Sequence, residues 1–495
     1  MATEQHSSTG EALYQDAIGK IEPYGIEHIP DEERHGRPRD QFTVYFAINV
    51  ALATMTTGFF PFVAGLSMVQ GITSIVAGAA VGALVLGVLS TMGSRLGVTQ
   101  PVLARGPLGR VGQVPLMAYA GVFGAFGWAT INLLLGGQAL RSVIHSPLWI
   151  GMVILAVGQG VVGIYGYNMV HLLNKISTVV IGALFLVITI LALQKANFSL
   201  AANPHAAAFV GGWGGWITSA GVFLALLIGF SPFSADYSRY LPASTSPIRV
   251  AGFTALGNFL AVGWLGCLGF VVASFAGNFA PVQAVRALTG GFAPVALIGI
   301  ALSTVALNGF NMYGGSMSLL GLGVRVSRPV AVAVITVGTV VVGLVLQNNL
   351  YGTFYNFLVL TGYVLAPYCA VTVLDFYLSR HTDEERVALL YAHARPFEWG
   401  FVAWLIGIGA SVPFWVWIGY TGPIARANPG MGDLTYYVGA AAGSLAYLLL
   451  RRLPELSTLL GSKKGMAAAS EFAVQTPVPS TPVAVTAVDS DAQDE

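Results

Sequence analysis

Residues 49–61 read NVALATMTTGFFP, and residues 228–234 read IGFSPFS. Each stretch lies inside an apolar run long enough to cross a bilayer, and each interrupts that run with hydroxyls, a glycine and a proline. Proline removes a backbone donor and glycine weakens a helix locally. Backbone groups freed at membrane depth are tolerated only inside protein or beside a watery cavity. One such interruption is an ordinary kink. Two of them, in the first and sixth apolar runs, are what a five-plus-five inverted repeat produces, with a binding site where the breaks meet.

The rest of the chain supports a membrane setting. Of 495 residues 55% are apolar and 9% charged, whereas soluble domains carry about 25% charge. Water is therefore not the main solvent. Apolar runs of roughly 17 to 28 residues, enough for about 30 Å of hydrocarbon, fall at 41–68, 71–92, 115–143, 148–165, 172–193, 213–234, 249–276, 293–318, 328–346, 352–378, 398–419 and 434–450. They predict an all-α integral membrane protein of about twelve transmembrane helices. The 61 glycines suit close helix approach, as at Gly78 and Gly82 or Gly439 and Gly443.

Orientation follows from the basic residues. With the N-terminus inside, 19 of the 23 lysines and arginines fall on the cytoplasmic side, leaving Arg141, Lys195, Arg286 and Arg426 outside; positive loops are retained in the cytoplasm. The reading is a multi-pass protein of the cell membrane, in contact with lipid, with both termini cytoplasmic. Residues 1–40 form a charged arm without a leader-like apolar run, 41–453 the transmembrane body, and 454–495 a disordered tail. The net charge of +1 is spread along membrane edges, so no nucleic-acid partner is indicated. Cys267 and Cys369 lie in spans without a CxxC, so neither a disulfide framework nor a metal site is indicated, and no cofactor is expected. A sequon at Asn197 carries no weight, and nothing sets an oligomeric state.

Several blocks resemble one family. Residues 26–40 (IEHIPDEERHGRPRD) with 46–58 (FAINVALATMTTG), 95–109 (RLGVTQPVLARGPLG), 166–175 (GYNMVHLLNK), 233–242 (FSADYSRYLP) and 375–378 (DFYL) are similar, in order, to the purine and cytosine permeases of nucleobase:cation symporter family 1. The resemblance implies a LeuT-type fold in which spans 1–5 and 6–10 are inverted repeats and the last two helices are peripheral. It implies a symporter importing a purine or pyrimidine base (cytosine, adenine, guanine or hypoxanthine), with allantoin, hydantoin or uracil as the alternative cargo.

A planar heterocycle needs an aromatic face and fixed donors and acceptors. Trp128 and Asn132, four residues apart, share one face of span 3. By resemblance Trp128 stacks on the ring and Asn132 contacts it, although the family often has Gln at that place. Phe230 sits where relatives often carry Trp. Ser231 and Thr57 are hydroxyls at the two breaks. Asn308 of span 8 resembles the asparagine that reads the ligand edge, with Asn311 as its alternative. Neutral amides imply a neutral solute. Each residue also has a plain packing reading, and Trp213 and Trp216 read as interfacial belt residues.

The coupling ion is H+ or Na+. By resemblance to sodium-coupled relatives, Ser303, Thr304 and backbone carbonyls near Asn49 are the candidate cation ligands, while hydroxyls also bond their own helix. Asp236 and Arg239 read as a pair at the cytoplasmic end of span 6. No HExxH, GxSxG or intramembrane acid cluster supports an enzyme, and no ring of pore-lining charges supports a channel.

Overall fold

In lipid an apolar run has no water to satisfy its backbone, so it closes its own hydrogen bonds as a helix. The start and stop of span 2 show how sequence sets the limits. Ser67 accepts from the Gln70 N–H at 3.3 Å while the Gln70 side chain bonds back to Ser67 N, and Gly97 ends the helix with φ +65°. This capping box and left-handed stop bound Met68–Leu96.

The computed structural model describes residues 24–453 apart from 120–123, 166, 203–211, 278–279, 393–394 and 418. The expected disordered tail at 454–495 and the first part of the arm lie outside the described residues. Eight helices are long and apolar enough to cross a membrane, and Pro38–Asn49 with Leu52–Val63 makes a ninth span bent by 62°. Val179–Leu193, Trp399–Phe414 and Thr435–Leu450 are shorter apolar helices. Each of the twelve expected spans thus falls on a helix, and the chain is a multi-pass membrane protein.

Three local differences have physical causes. Span 1 bends at Val50 and Ala51, where φ/ψ of −80°/71° and −141°/158° leave the helix, rather than in the Gly58–Pro61 region. Gly58 itself is helical, at φ −62° and ψ −12°. Span 11 stops at Phe414, short of residue 419, because Pro413 opens into a two-residue hairpin pairing Val416 with Thr421 and Trp417 with Tyr420. An amphipathic helix, Pro281–Thr289, precedes span 8.

Packing divides the bundle as an inverted repeat requires. Spans 1, 2, 6 and 7 pack mainly on one another, as do spans 3, 4, 8 and 9, while spans 10, 11 and 12 form a side group. Spans 1 and 2 thereby correspond to 6 and 7, and spans 3 and 4 to 8 and 9. Small residues carry the contacts. A β-carbon on Gly78 would lie 2.1 Å from the Ala220 carbonyl oxygen, one on Gly58 2.1 Å from that of Gly266, and one on Gly269 1.8 Å from that of Met55. Gly58 is a packing residue against span 7, not the breaker. Gly439 and Gly443 sit in looser contact with Pro367. Trp213 and Trp216 stack at 5.2 Å, Trp213 being 69% exposed.

Asp433, in the loop leading into span 12, accepts from the Tyr363 hydroxyl at 2.6 Å and the Thr435 N–H at 3.0 Å. Burial pushes this carboxyl up to about 6 from 3.8, against the opposing pull of those bonds. A raised carboxyl favours the folded loop when protonated, so stability falls as pH rises from about 4 to about 6. The limit is on the order of 3 kcal/mol. Asp433→Asn is expected to raise the thermal midpoint at pH 7.5 and flatten its dependence between pH 4 and 7; thermal unfolding across that range checks it, and an unchanged slope would contradict it.

Candidate substrate site

The two broken helices meet at the centre of the bundle. Span 6 runs as a helix over Gly212–Ile228, turns at Gly229 and Phe230, and continues as a single 3-10 turn, Ser231–Phe233. The GFSP sequence accounts for this directly. In span 1 the unwound turn is fixed from the side: Asn49 Nδ2 donates to the Tyr45 carbonyl at 2.8 Å and to Asn258 Oδ1 of span 7 at 2.9 Å.

Beside these breaks the rings of Trp128 and Phe230 lie nearly parallel, 5.8 Å between centroids and 11° between planes. Trp128 is 2% exposed and its Nε1 has no hydrogen-bond partner. Gly229 permits the approach, since a β-carbon there would stand 3.0 Å from that nitrogen. Phe354 and Phe357 of span 10 meet Trp128 edge-on at 6.2 and 5.2 Å, and Phe310 of span 8 meets Phe230 edge-on at 5.6 Å. The result is an aromatic box with two parallel walls.

The amides form a cluster on the adjoining side. Asn132 Nδ2 donates to Asn308 Oδ1 at 3.1 Å, and Asn311 Nδ2 donates to the same oxygen at 3.2 Å. Asn308 Nδ2 donates to the Ala129 carbonyl at 3.0 Å and to Gln159 Oε1 at 2.7 Å. Asn308 thus has all four of its bonds made. It works as the hub that fixes Asn132 and Asn311. Unmet capacity remains at Asn311 Oδ1 and at Ser231 Oγ, which faces the Cys369 thiol.

The other expected residues lie elsewhere in the bundle. Thr57 is buried and donates to Ala53 O at 3.0 Å within its own helix. Ser303 and Thr304 likewise donate to Ile300 O and Ala301 O at 2.7 and 2.6 Å, and Thr304 packs on Gly136 of span 3. No bond among the described residues joins Asn49 to either hydroxyl. Asp236 accepts the Gln100 N–H at 2.7 Å, while Arg239 donates to the Gly25 carbonyl and the Tyr313 hydroxyl at 2.7 and 3.1 Å. These bonds tie the end of span 6 to the loop after span 2, to the N-terminal arm and to span 8.

Sequence reading missed Gln159, Phe354 and Phe357. A lone glutamine in the apolar run of span 4 and the 354/357 aromatic spacing of span 10 were the available signals. Gln159 also donates to Thr339 Oγ1 at 3.3 Å, so it locks the hub to span 9. Gln159→Leu strands an Asn308 donor in a dry site, a cost of about 1–3 kcal/mol. Solute affinity is expected to fall about tenfold at unchanged surface level, read as the KM for uptake.

Residues 28–439 match the family of permeases for cytosine/purines, uracil, thiamine and allantoin. The chain belongs to that family and is a membrane permease, not an enzyme. It is 28% identical over 467 residues to "Putative purine-cytosine permease YxlA" of Bacillus subtilis (strain 168), covering 89% of this chain and 98% of that protein. It is 27% identical over 380 residues to the vitamin B6 transporter TPN1 of Saccharomyces cerevisiae, covering 71% of this chain and 65% of that protein. Its fold matches Mhp1, a nucleobase-cation-symport-1 family transporter solved in a closed conformation with bromovinylhydantoin bound, with TM-score 0.71, 19% identity, and 86% and 94% of the two chains covered.

Proposed function

We propose that this permease imports a neutral purine or pyrimidine base (cytosine, adenine, guanine or hypoxanthine) across the cell membrane by cation symport, through alternating access. The observation that supports this most is the parallel Trp128 and Phe230 pair standing beside four clustered amides. The rings would hold the faces of a flat heterocycle. Asn132, Asn311 and Ser231 would read its polar edge, with Asn308 and Gln159 holding them in place; Thr57, at the end of the helix that follows the span 1 break, would have to give up its bond to Ala53 to join them. A site built to bond a polar edge rejects analogues that lack it, because its own groups are left unpaired.

The breaks in spans 1 and 6 let their halves tilt separately, so one end of the site opens as the other closes. Asn49, Ser303 and Thr304 are the candidate oxygen donors for a coupling sodium ion; an ion there has to draw Asn49 away from Asn258 and the hydroxyls from their own helix. Proton coupling is the other arm. We place both termini and the tail at 454–495 in the cytoplasm on the 19-to-4 partition of basic residues.

Cells expressing the chain are expected to accumulate radiolabelled cytosine or adenine, with uptake lost on sodium removal or on addition of a protonophore according to the ion. Uptake of neither base, alongside uptake of allantoin, hydantoin or uracil, moves the reading to that alternative cargo. The bromovinylhydantoin held by Mhp1 favours including these rings.

A further inference from the structure

A cavity of about 1080 Å3 opens between the loop joining spans 2 and 3, the helix Asp383–Tyr391, and the C-terminal ends of spans 10 and 12. No residue of spans 1, 3, 6 or 8 lines it, so it is separate from the aromatic and amide site. Its chemistry is also different. Seven arginines line it against two carboxylates, Asp375 and Glu398.

Those carboxylates are already engaged. Asp375 accepts from the Tyr447 hydroxyl at 2.7 Å, and Glu398 pairs with Arg395 at 3.2 Å. Arg386 faces Asp383 at 4.0 Å. Among the described residues Arg105, Arg110, Arg380, Arg451 and Arg452 have no carboxylate within the 4.0 Å of an ion pair. Arg105 Nε is buried with no acceptor, and its Nη1 reaches only the Leu390 carbonyl at 3.4 Å. A guanidinium desolvated without a counter-ion is costly, and an anion in the cavity would relieve it. Guanidinium forks match phosphate oxygens two at a time.

The outer wall selects among phosphate-bearing anions. Leu448 and Leu453 line the cavity, 39% and 47% exposed, and Leu445 and Leu449 continue that face along span 12 at 61% and 59%. An occupant that satisfies both parts carries a phosphate at one end and hydrocarbon at the other. We propose that this cavity binds the headgroup of an anionic phospholipid, its acyl chains lying on the leucine face of span 12. Basic pockets between helices at the cytoplasmic edge take such lipids, and the orientation proposed above puts the cavity in that leaflet. Through Asp375 and Tyr447 the lipid would tie span 10 to span 12.

The test uses the purified full chain in detergent, titrated with phosphatidylglycerol, phosphatidylcholine or inorganic phosphate, with binding read by native mass spectrometry and by thermal unfolding. Phosphatidylglycerol is expected to bind and stabilise where phosphatidylcholine does not. Arg380→Gln, Arg451→Gln and Arg452→Gln are each expected to weaken its binding about fivefold, and the triple variant about a hundredfold. Arg452→Lys, which keeps the charge and is exposed enough to fold normally, should retain most of it, and Arg141→Gln at the opposite face should change nothing. Equal binding of the two lipids, or undiminished phosphatidylglycerol binding by the single variants, overturns the proposal. Equal stabilisation by inorganic phosphate alone reassigns the cavity to a soluble anion and overturns the lipid.

Discussion

Trp128→Ala is expected to lower uptake by about a hundredfold while the protein still reaches the membrane. Stacking an aromatic side chain on a base contributes about 1–3 kcal/mol. At this position the indole also holds the box together, with Phe230 parallel at 5.8 Å and Phe354 and Phe357 edge-on. Truncating a buried tryptophan removes packing worth about 3–5 kcal/mol, so loss of fold has to be separated from loss of site. Trp128→Phe does so: it keeps an aromatic face and most of the volume. It is expected to retain uptake with a raised KM. Wild-type uptake by the alanine variant, at matched surface level, would remove Trp128 from the site.

The second large effect is structural. Gly269→Val is expected to abolish folded protein, because a β-carbon there would lie 1.8 Å from the Met55 carbonyl oxygen and 3.1 Å from Gly58 Cα. Overpacking a core costs about 1–3 kcal/mol when side chains can yield; here the neighbour is backbone and spans 1 and 7 would have to part. The same helix supplies its control. Gly252 and Gly263 have nothing within 4 Å of an added β-carbon, so Gly252→Ala and Gly263→Ala should give wild-type yield and a single symmetric peak in size-exclusion chromatography. A monodisperse Gly269→Val protein would contradict the packing of span 1 on span 7.

These two residues also show what was legible in the sequence. Hydropathy and charge located twelve spans because lipid forces every apolar run into a helix. The break in span 6 was legible because glycine and proline stand where the helix unwinds. The break in span 1 was not: Val50 and Ala51 carry no such mark, and the turn is held by Asn49 bonding across to Asn258, 209 residues away. Gly58 was misleading for a related reason, since glycine serves close approach as readily as it serves a turn. In the site, Trp128, Phe230, Asn132 and Asn308 do come together. That Asn308 bonds to its neighbours on all sides depends on Gln159, and no local pattern in span 4 points toward span 8.

On the proposed binding mode, the parallel walls of the box would also act as a gauge of thickness. Carbon atoms pack no closer than about 3.5–4.0 Å, so a flat ring between Trp128 and Phe230 needs faces about 7–8 Å apart, and their centroids stand at 5.8 Å. Admitting a base there, as proposed, would mean moving Phe230 by roughly 1–2 Å, at the turn where the span 6 helix is interrupted. A puckered ring or one with an out-of-plane substituent demands a wider gap for fewer contacts. Among solutes with equivalent hydrogen-bonding edges, the pair would rank them by flatness.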